Sequence, residues 1–355
     1  MELCVDVKKK LPGFTLRVEF GAGQDATGLL GASGSGKSMT LRCIAGIEKP
    51  DSGRIVLNGR VLFDSDKGVN VPARKRRVGY LFQNYALFPN MTVEENIGFA
   101  LSGLPREERN AAVRQKIAMM KLEGLEKRYP SQLSGGQQQR TALARALAIE
   151  PEALLLDEPF SALDEHLRSL LVRQLLDTLS GYGGVTLFVS HNMEEAYKLC
   201  RRLVMLKSGT VETAGDREDI FRRPATVETA RLTGCRNFSA ASRLDGGRLY
   251  AADWDVVLDV NDVQEEGAGY VGIHSHCIRL AREDDHENVY ECRPHFASET
   301  PFGATVCLAP WKSRTGGGDS YLEWDMPKEK WQELKDRPQP WRVWLDPDKL
   351  MTFGC

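Results

Sequence analysis

The sequence predicts an α/β domain with a parallel sheet, followed by a small all-β domain. Short β-branched strands alternate with helical patterns over the first part of the 355 residues, as they do in parallel α/β folds. All six tryptophans lie after residue 250. The strands there are short and broken by Gly, Pro and Asp, which is typical of a small β-barrel. We place the boundary after Gly234, which gives domains at 1–234 and 235–355.

The strands of the first domain follow from its apolar periodicity. Leu16, Val18 and Phe20 alternate as a half-buried strand, so Phe20 is expected in the core. Asn58-Gly59 predicts a tight turn between two strands. The segments that these patterns predict as strands or hairpins are 27–31, 53–63, 78–82, 153–157 and 185–190.

A mostly helical insertion is predicted at about 88–148, where Val113, Ile117 and Met120 recur with helical spacing. In the second domain, 255–260, 270–273 and 342–345 are predicted strands. The stretches 271–278 and 343–350 share a strand, a polar turn and an apolar segment, which indicates a tandem repeat.

The composition excludes several classes of protein. Apolar residues make up 42% and charged residues 27% of the chain, which is ordinary for folded globular domains. A net charge of −2 argues against a nucleic-acid-binding protein. The apolar runs are far shorter than the roughly 20 residues that span a bilayer, so any membrane contact is expected to be peripheral. The basic cluster at 74–77 is interpreted as a solvated turn, and the histidines and cysteine at 274–277 as strand residues rather than metal ligands.

A glycine-rich loop predicts a phosphate-binding site. The segment 31–38 fits GxxxxGK[ST] and lies between an apolar strand and a helix, where such a loop must lie. Its backbone N–H groups and the helix N-terminus would hold phosphates, Lys37 would reach the β- and γ-phosphates, and Ser38 would hold Mg²⁺. The predicted nucleotide-binding residues of this loop are Gly31, Ala32, Ser33, Gly34, Ser35, Gly36, Lys37 and Ser38.

Two adjacent carboxylates end the apolar strand 154–156. Asp157 is predicted to orient the Mg²⁺ shell, and Glu158 is predicted to polarise the attacking water as its base. An apolar strand that ends in Asp-Glu is often structural by itself. Together with the phosphate loop in one α/β chain, it favours a nucleoside triphosphatase.

The segment Leu133-Ser134-Gly135-Gly136-Gln137 opens a helix and matches the signature sequence of ABC ATPases. The chain therefore resembles the ATP-binding subunits of ABC transporters, with a P-loop NTPase fold. In that family the signature binds the γ-phosphate held by the opposite subunit. The resemblance thus implies an ATP-sandwiching homodimer in which Ser134, Gly135, Gly136 and Gln137 belong to the partner's site.

Further positions match the family residue by residue. Gln83 resembles the glutamine that senses Mg²⁺ and the attacking water, and His191 resembles the switch histidine that contacts the γ-phosphate. Asp164 ends a segment, 161–164, that resembles the loop at the dimer seam. Phe14 is the predicted aromatic that stacks on adenine. The implied Mg²⁺ ligands are Ser38, Gln83 and Asp157.

The resemblance also implies partners. The segment 85–89 would form part of a cleft for a membrane permease, which places the chain on the cytoplasmic face of the membrane, with a separate substrate-binding protein. The second domain resembles the OB-like TOBE or MOP-like domains of bacterial importers, closest to the molybdate, tungstate and sulfate group. Importers of iron(III), sugars or polyamines share this architecture. A soluble ABC protein is less favoured, because the chain has neither a coiled-coil insertion nor a second ATPase half.

Overall fold

The computed structural model describes residues 1–161, 165–261, 268–310 and 321–354. The chain forms two compact units, Met1–Arg217 and Glu218–Cys355. The domain boundary predicted at 234/235 stays a prediction; the units divide at 217/218, so two short helices between 217 and 232 group with the C-terminal unit. Among the described residues, no helix is both long and apolar enough to cross a membrane.

The N-terminal unit contains eleven strands and six helices in its described part. The strands are β1 (Leu3–Leu11), β2 (Phe14–Ala22), β3 (Thr27–Leu30), β4 (Ser52–Leu57), β5 (Arg60–Asp64), β6 (Val69–Asn70), β7 (Val78–Leu81), β8 (Ala153–Asp157), β9 (Val185–Val189), β10 (Arg202–Lys207) and β11 (Thr210–Asp216). The helices are α1 (Lys37–Ala45), α2 (Val93–Phe99), α3 (Arg106–Met119), α4 (Gly135–Ala148), α5 (Glu165–Ser180) and α6 (Met193–Leu199).

These strands form one sheet in the order β6-β5-β4-β1-β2-β11-β10-β3-β9-β8-β7. The run from β10 to β7 is parallel, whereas β1, β2, β4, β5 and β6 pair antiparallel. Strands β3, β8 and β9 are buried along their whole length, as expected where helices cover both faces of a parallel sheet. The carboxyl ends of β3, β7, β8 and β9 therefore share one edge, where ligands bind in such sheets.

The predicted elements of this unit are confirmed to within a few residues. Phe20 is buried in the core, and β2 alternates buried and exposed residues. Asn58 and Gly59 both have positive φ angles, 51° and 76°, between antiparallel strands β4 and β5. Helices α2, α3 and α4 lie in the predicted helical insertion, with Val113 and Ile117 buried on one face of α3.

One prediction is wrong at a single residue. The basic cluster at 74–77 is a surface turn except for Arg76, whose side chain is completely buried. Its guanidinium donates to the backbone oxygens of Cys43, Ile44 and Val71 and to Asn70 Oδ1, at 2.7–2.9 Å. Two of these oxygens belong to the last turn of α1, where a helix leaves its carbonyl groups unpaired and its dipole favours a cation.

The C-terminal unit is built mainly from two antiparallel five-stranded sheets, which confirms the predicted all-β, OB-like class. Their orders are β14-β13-β12-β15-β21 and β16-β20-β17-β18-β19. The strands are β12 (Asn237–Arg243), β13 (Arg248–Ala251), β14 (Val256–Asp259), β15 (Ala268–Ile273), β16 (Ile278–Leu280), β17 (Val289–Glu299), β18 (Gly303–Pro310), β19 (Leu322–Pro327), β20 (Trp341–Leu345) and β21 (Met351–Gly354). Short helices α7 (Arg217–Arg222), α8 (Val227–Leu232) and α9 (Lys328–Leu334) flank them. Trp254, Trp324 and Trp341 are almost fully buried in its core.

The tandem repeat predicted at 271–278 and 343–350 has a structural counterpart. Strands β15 and β16 are joined by a 3₁₀ turn at Ser275–Cys277, and β20 and β21 by one at Pro347–Lys349. The two copies pair crosswise, β15 with β21 and β16 with β20. His274 and His276 consequently lie at the turn and stack, with ring centroids 5.4 Å apart. Their interpretation as strand residues is wrong, because the chain must turn there to change sheets.

Candidate functional site

The loop between β3 and α1 has a backbone that other residues could not adopt. Gly31 and Gly36 have φ angles of 148° and 102°. A Cβ at Gly31 would lie 2.1 Å from the Leu206 oxygen, and one at Gly36 would lie 2.5 Å from Leu16 Cδ1. Both positions therefore require glycine, and the loop is packed tightly onto the sheet below it.

Lys37 begins α1 and is only 6% exposed. Its Nζ donates to the backbone oxygens of Gly31 and Ala32 at 2.8 and 2.9 Å. Burial lowers the pKa of Lys37, while the negative charges of Glu158 and Asp157 act in the opposite direction. The ammonium group is thus held across the loop by carbonyl oxygens, which an anionic phosphate oxygen could replace.

Asp157 ends β8 and is 4% exposed. Its Oδ1 accepts a hydrogen bond from Ser38 Oγ at 2.8 Å, and its Oδ2 accepts one from the Tyr80 hydroxyl, also at 2.8 Å. Burial raises the pKa of Tyr80 well above its usual range, and the Asp157 carboxylate raises it further. The tyrosine is therefore a proton donor at neutral pH.

Glu158 follows directly and has a positive φ of 46°, a conformation that is rare for residues other than glycine. Its backbone N–H donates to the Val189 oxygen at 3.0 Å, which ties it to the end of β9. Gln83 Nε2 donates to Glu158 Oε2 at 3.0 Å, and His191 Nδ1 lies 3.4 Å from the same oxygen. The carboxylate is thus fixed between side chains that follow β7 and β9.

Lys37, Ser38, Gln83, Glu158 and His191 line one cavity of about 490 Å³, whereas Asp157 is not among the described residues that line it. Phe14 lies on its wall. Sequence reasoning missed Arg42, which lies one helical turn after Ser38 and so faces the same way. The residues that line the cavity are Leu11, Phe14, Ser33, Gly34, Gly36, Lys37, Ser38, Met39, Arg42, Gln83, Glu158 and His191.

The segment 134–137 does not line this cavity in the described part of the chain. Ser134 caps α4, because its Oγ accepts from the Gln137 N–H while Gln137 Oε1 accepts from the Ser134 N–H. Gly135 and Gly136 begin the helix behind this cap. Asp164, predicted at the dimer seam, lies outside the described residues.

The donor set fits both ATP and a divalent cation. Ser35 Oγ is buried in the phosphate loop without a hydrogen-bond partner among the described residues, as is expected of a loop that lacks its ligand's polar atoms. The Ser38 hydroxyl, the Asp157 carboxylate and the free amide oxygen of Gln83 are hard oxygen ligands of the kind that Mg²⁺ prefers.

Known proteins match this chain in sequence and in structure. The family model described as "ABC transporter" matches residues 15–161. A sulfate/thiosulfate import ATP-binding protein of Agrobacterium fabrum is 38% identical over 314 residues, which cover 87% of this chain and 86% of that protein. One of Burkholderia pseudomallei is 46% identical over 276 residues, 74% of each chain.

A solved structure, the dimeric post-hydrolysis state of the ATP-binding cassette MJ0796 bound to ADP and Pi, is similar in fold. It has a TM-score of 0.52 and 30% sequence identity, and the match covers 61% of this chain and 98% of that one. Together with the cavity, these matches show what the chain is: it belongs to the ABC transporter family and is one of its ATP-binding, ATP-hydrolysing subunits.

Proposed function

We propose that this chain energises the import of sulfate, or a closely related oxyanion, by hydrolysing ATP in the cavity above the 31–38 loop. The observation that supports this site is that the ends of four strands bring five side chains to one cavity. These are Lys37, Ser38, Gln83, Glu158 and His191. The support for the cargo is the relatives, which are named as sulfate/thiosulfate import proteins and match most of the chain.

Binding of ATP uses the loop. The backbone N–H groups of 31–36 and the N-terminus of α1 surround the phosphates, and Lys37 gives up its carbonyl partners to reach them. Ser35 supplies an unpaired hydroxyl. Phe14, at the edge of the same cavity, stacks on the adenine ring.

Hydrolysis needs a water aligned with the γ-phosphate and a base to take its proton. Glu158 is that base, because its carboxylate faces the cavity and is oriented by Gln83 and His191. Ser38, Asp157 and Gln83 hold Mg²⁺, which supplies charge stabilisation to the phosphates. Lys37 and the loop amides stabilise the charge that spreads over the transferred phosphoryl group.

A second copy of the chain completes the site. The α4 N-terminus at 134–137 offers backbone N–H groups and the positive end of a helix dipole, yet it lies outside its own chain's cavity. In the dimer these residues contact the ATP held by the partner. The solved cassette of similar fold is itself dimeric.

Coupling to a membrane permease uses the segment that follows Gln83. Tyr85 and Ala86 have positive φ angles of 61° and 44°, and Arg145 of α4 donates to both of their backbone oxygens at 2.9 and 2.7 Å. The segment thereby links Gln83 to the signature helix. We place the chain at the cytoplasmic face of the membrane, with the permease seated against this segment.

Uptake in cells tests the cargo. A strain lacking its own sulfate permease ATPase is complemented with this chain and its cognate permease and binding protein, and ³⁵S-sulfate uptake is measured. We expect uptake with the parent chain and none with Lys37→Ala. ATP hydrolysis without sulfate uptake, combined with uptake of molybdate, iron(III), a sugar or a polyamine, would reject the sulfate assignment while leaving the ATPase intact.

A further inference from the structure

The carboxylate of Asp157 is held at both oxygens. Ser38 Oγ donates to Oδ1, and the Tyr80 hydroxyl donates to Oδ2, each at 2.8 Å. Only the first bond comes from a residue of the phosphate loop. The second comes from β7, the strand next to β8, and no motif in the sequence contains it.

The sheet register explains why this bond forms. Strands β7 and β8 are parallel, and Tyr80 pairs with Leu155, two residues before Asp157. A tyrosine side chain is long enough to cover that offset along the strand, so its hydroxyl reaches the end of β8. Its ring packs on the core of the unit and against Phe82, with ring centroids 4.4 Å apart, which leaves the hydroxyl little freedom to move elsewhere.

The bond from Tyr80 sets the orientation of the Asp157 carboxylate. Asp157 is 4% exposed, so water cannot readily replace a lost partner at Oδ2. With Oδ2 held by Tyr80, Oδ1 is directed toward Ser38, which is another of the proposed cation ligands. Groups that orient a ligand in this way typically contribute about 10- to 100-fold to metal affinity.

We propose that Tyr80 is a positioning residue for the divalent cation: its hydroxyl fixes the Asp157 carboxylate toward Ser38, so that the pair is pre-organised when Mg²⁺ enters with ATP. This inference rests on the proposed ATP and Mg²⁺ site. Tyr80 does not touch the nucleotide in this role, so its contribution depends on the cation.

The test compares nucleotide affinity with and without Mg²⁺. Tyr80→Phe removes one oxygen atom, and binding of a fluorescent ATP analogue is measured in EDTA and across a Mg²⁺ titration. We expect unchanged affinity in EDTA and about a 10-fold higher Mg²⁺ concentration for half-maximal effect. The Mg²⁺ requirement of ATP hydrolysis is expected to shift by the same factor.

Tyr182→Phe is the matched control. Its hydroxyl also donates at 2.8 Å, but to the Pro151 backbone oxygen before the start of β8, and Tyr182 does not line the ATP cavity. The control is expected to lose a similar amount of thermal stability and to keep the Mg²⁺ titration of the parent. Tyr80→Met, which also lacks a donor but differs in shape, is expected to reproduce the shift of Tyr80→Phe.

The outcomes separate the two proposals. A parent chain that shows no Mg²⁺ dependence at all overturns the proposed cation site itself. A parent that depends on Mg²⁺, with a Tyr80→Phe titration identical to that of the parent and of Tyr182→Phe, overturns the positioning role alone. If Tyr80→Phe and Tyr80→Met shift the Mg²⁺ titration by different amounts, the effect arises from packing, and this result too would overturn the positioning role.

Discussion

Replacing Glu158 with glutamine removes the proposed base together with its negative charge, which acts on Lys37 and lies beside His191. The substitution keeps the size of the side chain and one oxygen that can still accept from Gln83 Nε2, 3.0 Å away in the parent. Lys37, Ser38 and the phosphate loop make no hydrogen bond to Glu158 that would be lost. The change therefore separates the chemical step from ATP binding.

The expected size of the effect follows from what a general base contributes. Such a group accelerates proton transfer by about 10²- to 10⁴-fold. At about 1.4 kcal/mol for each factor of ten, this is roughly 3–6 kcal/mol of transition-state stabilisation. We expect the turnover of Glu158→Gln to fall by that factor, while its affinity for ATP stays near that of the parent.

Phosphate release under saturating Mg-ATP measures the turnover, and equilibrium binding of ATP in the same buffer measures the affinity. Glu152→Gln is the control, because Glu152 precedes β8 at the opposite end and is paired there with Arg60 and Arg77. It is expected to keep full turnover. A Glu158→Gln turnover within about threefold of the parent would refute the assignment, since no general base is worth so little.

Three further substitutions test other parts of the structure. Gly36→Ala places a Cβ 2.5 Å from Leu16 Cδ1, so ATP affinity in an equilibrium binding assay is expected to fall about tenfold or more. Gly68 also has a positive φ but has open space around it, so Gly68→Ala is expected to leave the ATP affinity unchanged in the same assay. Arg76→Met leaves without partners the backbone carbonyl groups to which the buried guanidinium donates. We expect the free energy of unfolding in denaturant to fall by about 3–5 kcal/mol, compared with about 0.5 kcal/mol or less for the exposed Arg74→Met. Burial acts to raise the pKa of Asp325, but hydrogen bonds from Ser275, Thr305 and Arg236 outweigh it and hold the pKa below its usual value. A depressed carboxylate pKa stabilises the fold above the unfolded-state value of about 3.9 and loses that stabilisation as the pH falls. The melting temperature of Asp325→Asn should therefore lie below that of the parent at pH 7, and a gap that did not narrow toward pH 3 would contradict this reasoning.

The order of motifs in the sequence predicted that several of the side chains near the cavity would lie close together, although it did not point to Arg42. The phosphate loop, Gln83, the pair Asp157 and Glu158, and His191 each follow a strand of a parallel sheet. Because the carboxyl ends of such strands lie at one edge, the order of motifs along the chain already implied their proximity. The structure brings Lys37, Ser38, Gln83, Glu158 and His191 together around one cavity, and Asp157 is joined to it through its hydrogen bond from Ser38.

Two features of the N-terminal unit, one at the site and one outside it, could not be predicted from the sequence, because they depend on contacts between distant elements. The Tyr80 to Asp157 bond requires the register that pairs Tyr80 with Leu155. Arg76 belongs to a run of basic residues that resembles any solvated turn. Its burial follows only from the end of α1 lying directly beneath it, where Gly46 leaves no Cβ in the way; a Cβ there would lie 2.5 Å from Arg76 Nε.

The C-terminal unit shows how a plausible set of anion-binding residues can already be in use. Ser275 Oγ donates to Asp325 Oδ2 at 2.5 Å, Thr305 Oγ1 donates to Oδ1 at 2.6 Å, and Arg236 pairs with the same carboxylate. Hydroxyl groups and a guanidinium are the donors that an oxyanion would need. Because an ionised side chain of the chain itself accepts all three, this cluster stabilises the joint between β18, β19 and the turn after β15. While Asp325 is charged, these donors are already bonded to it and are not available to bind sulfate. The evidence for sulfate import therefore comes from the relatives of the whole chain and not from this cluster.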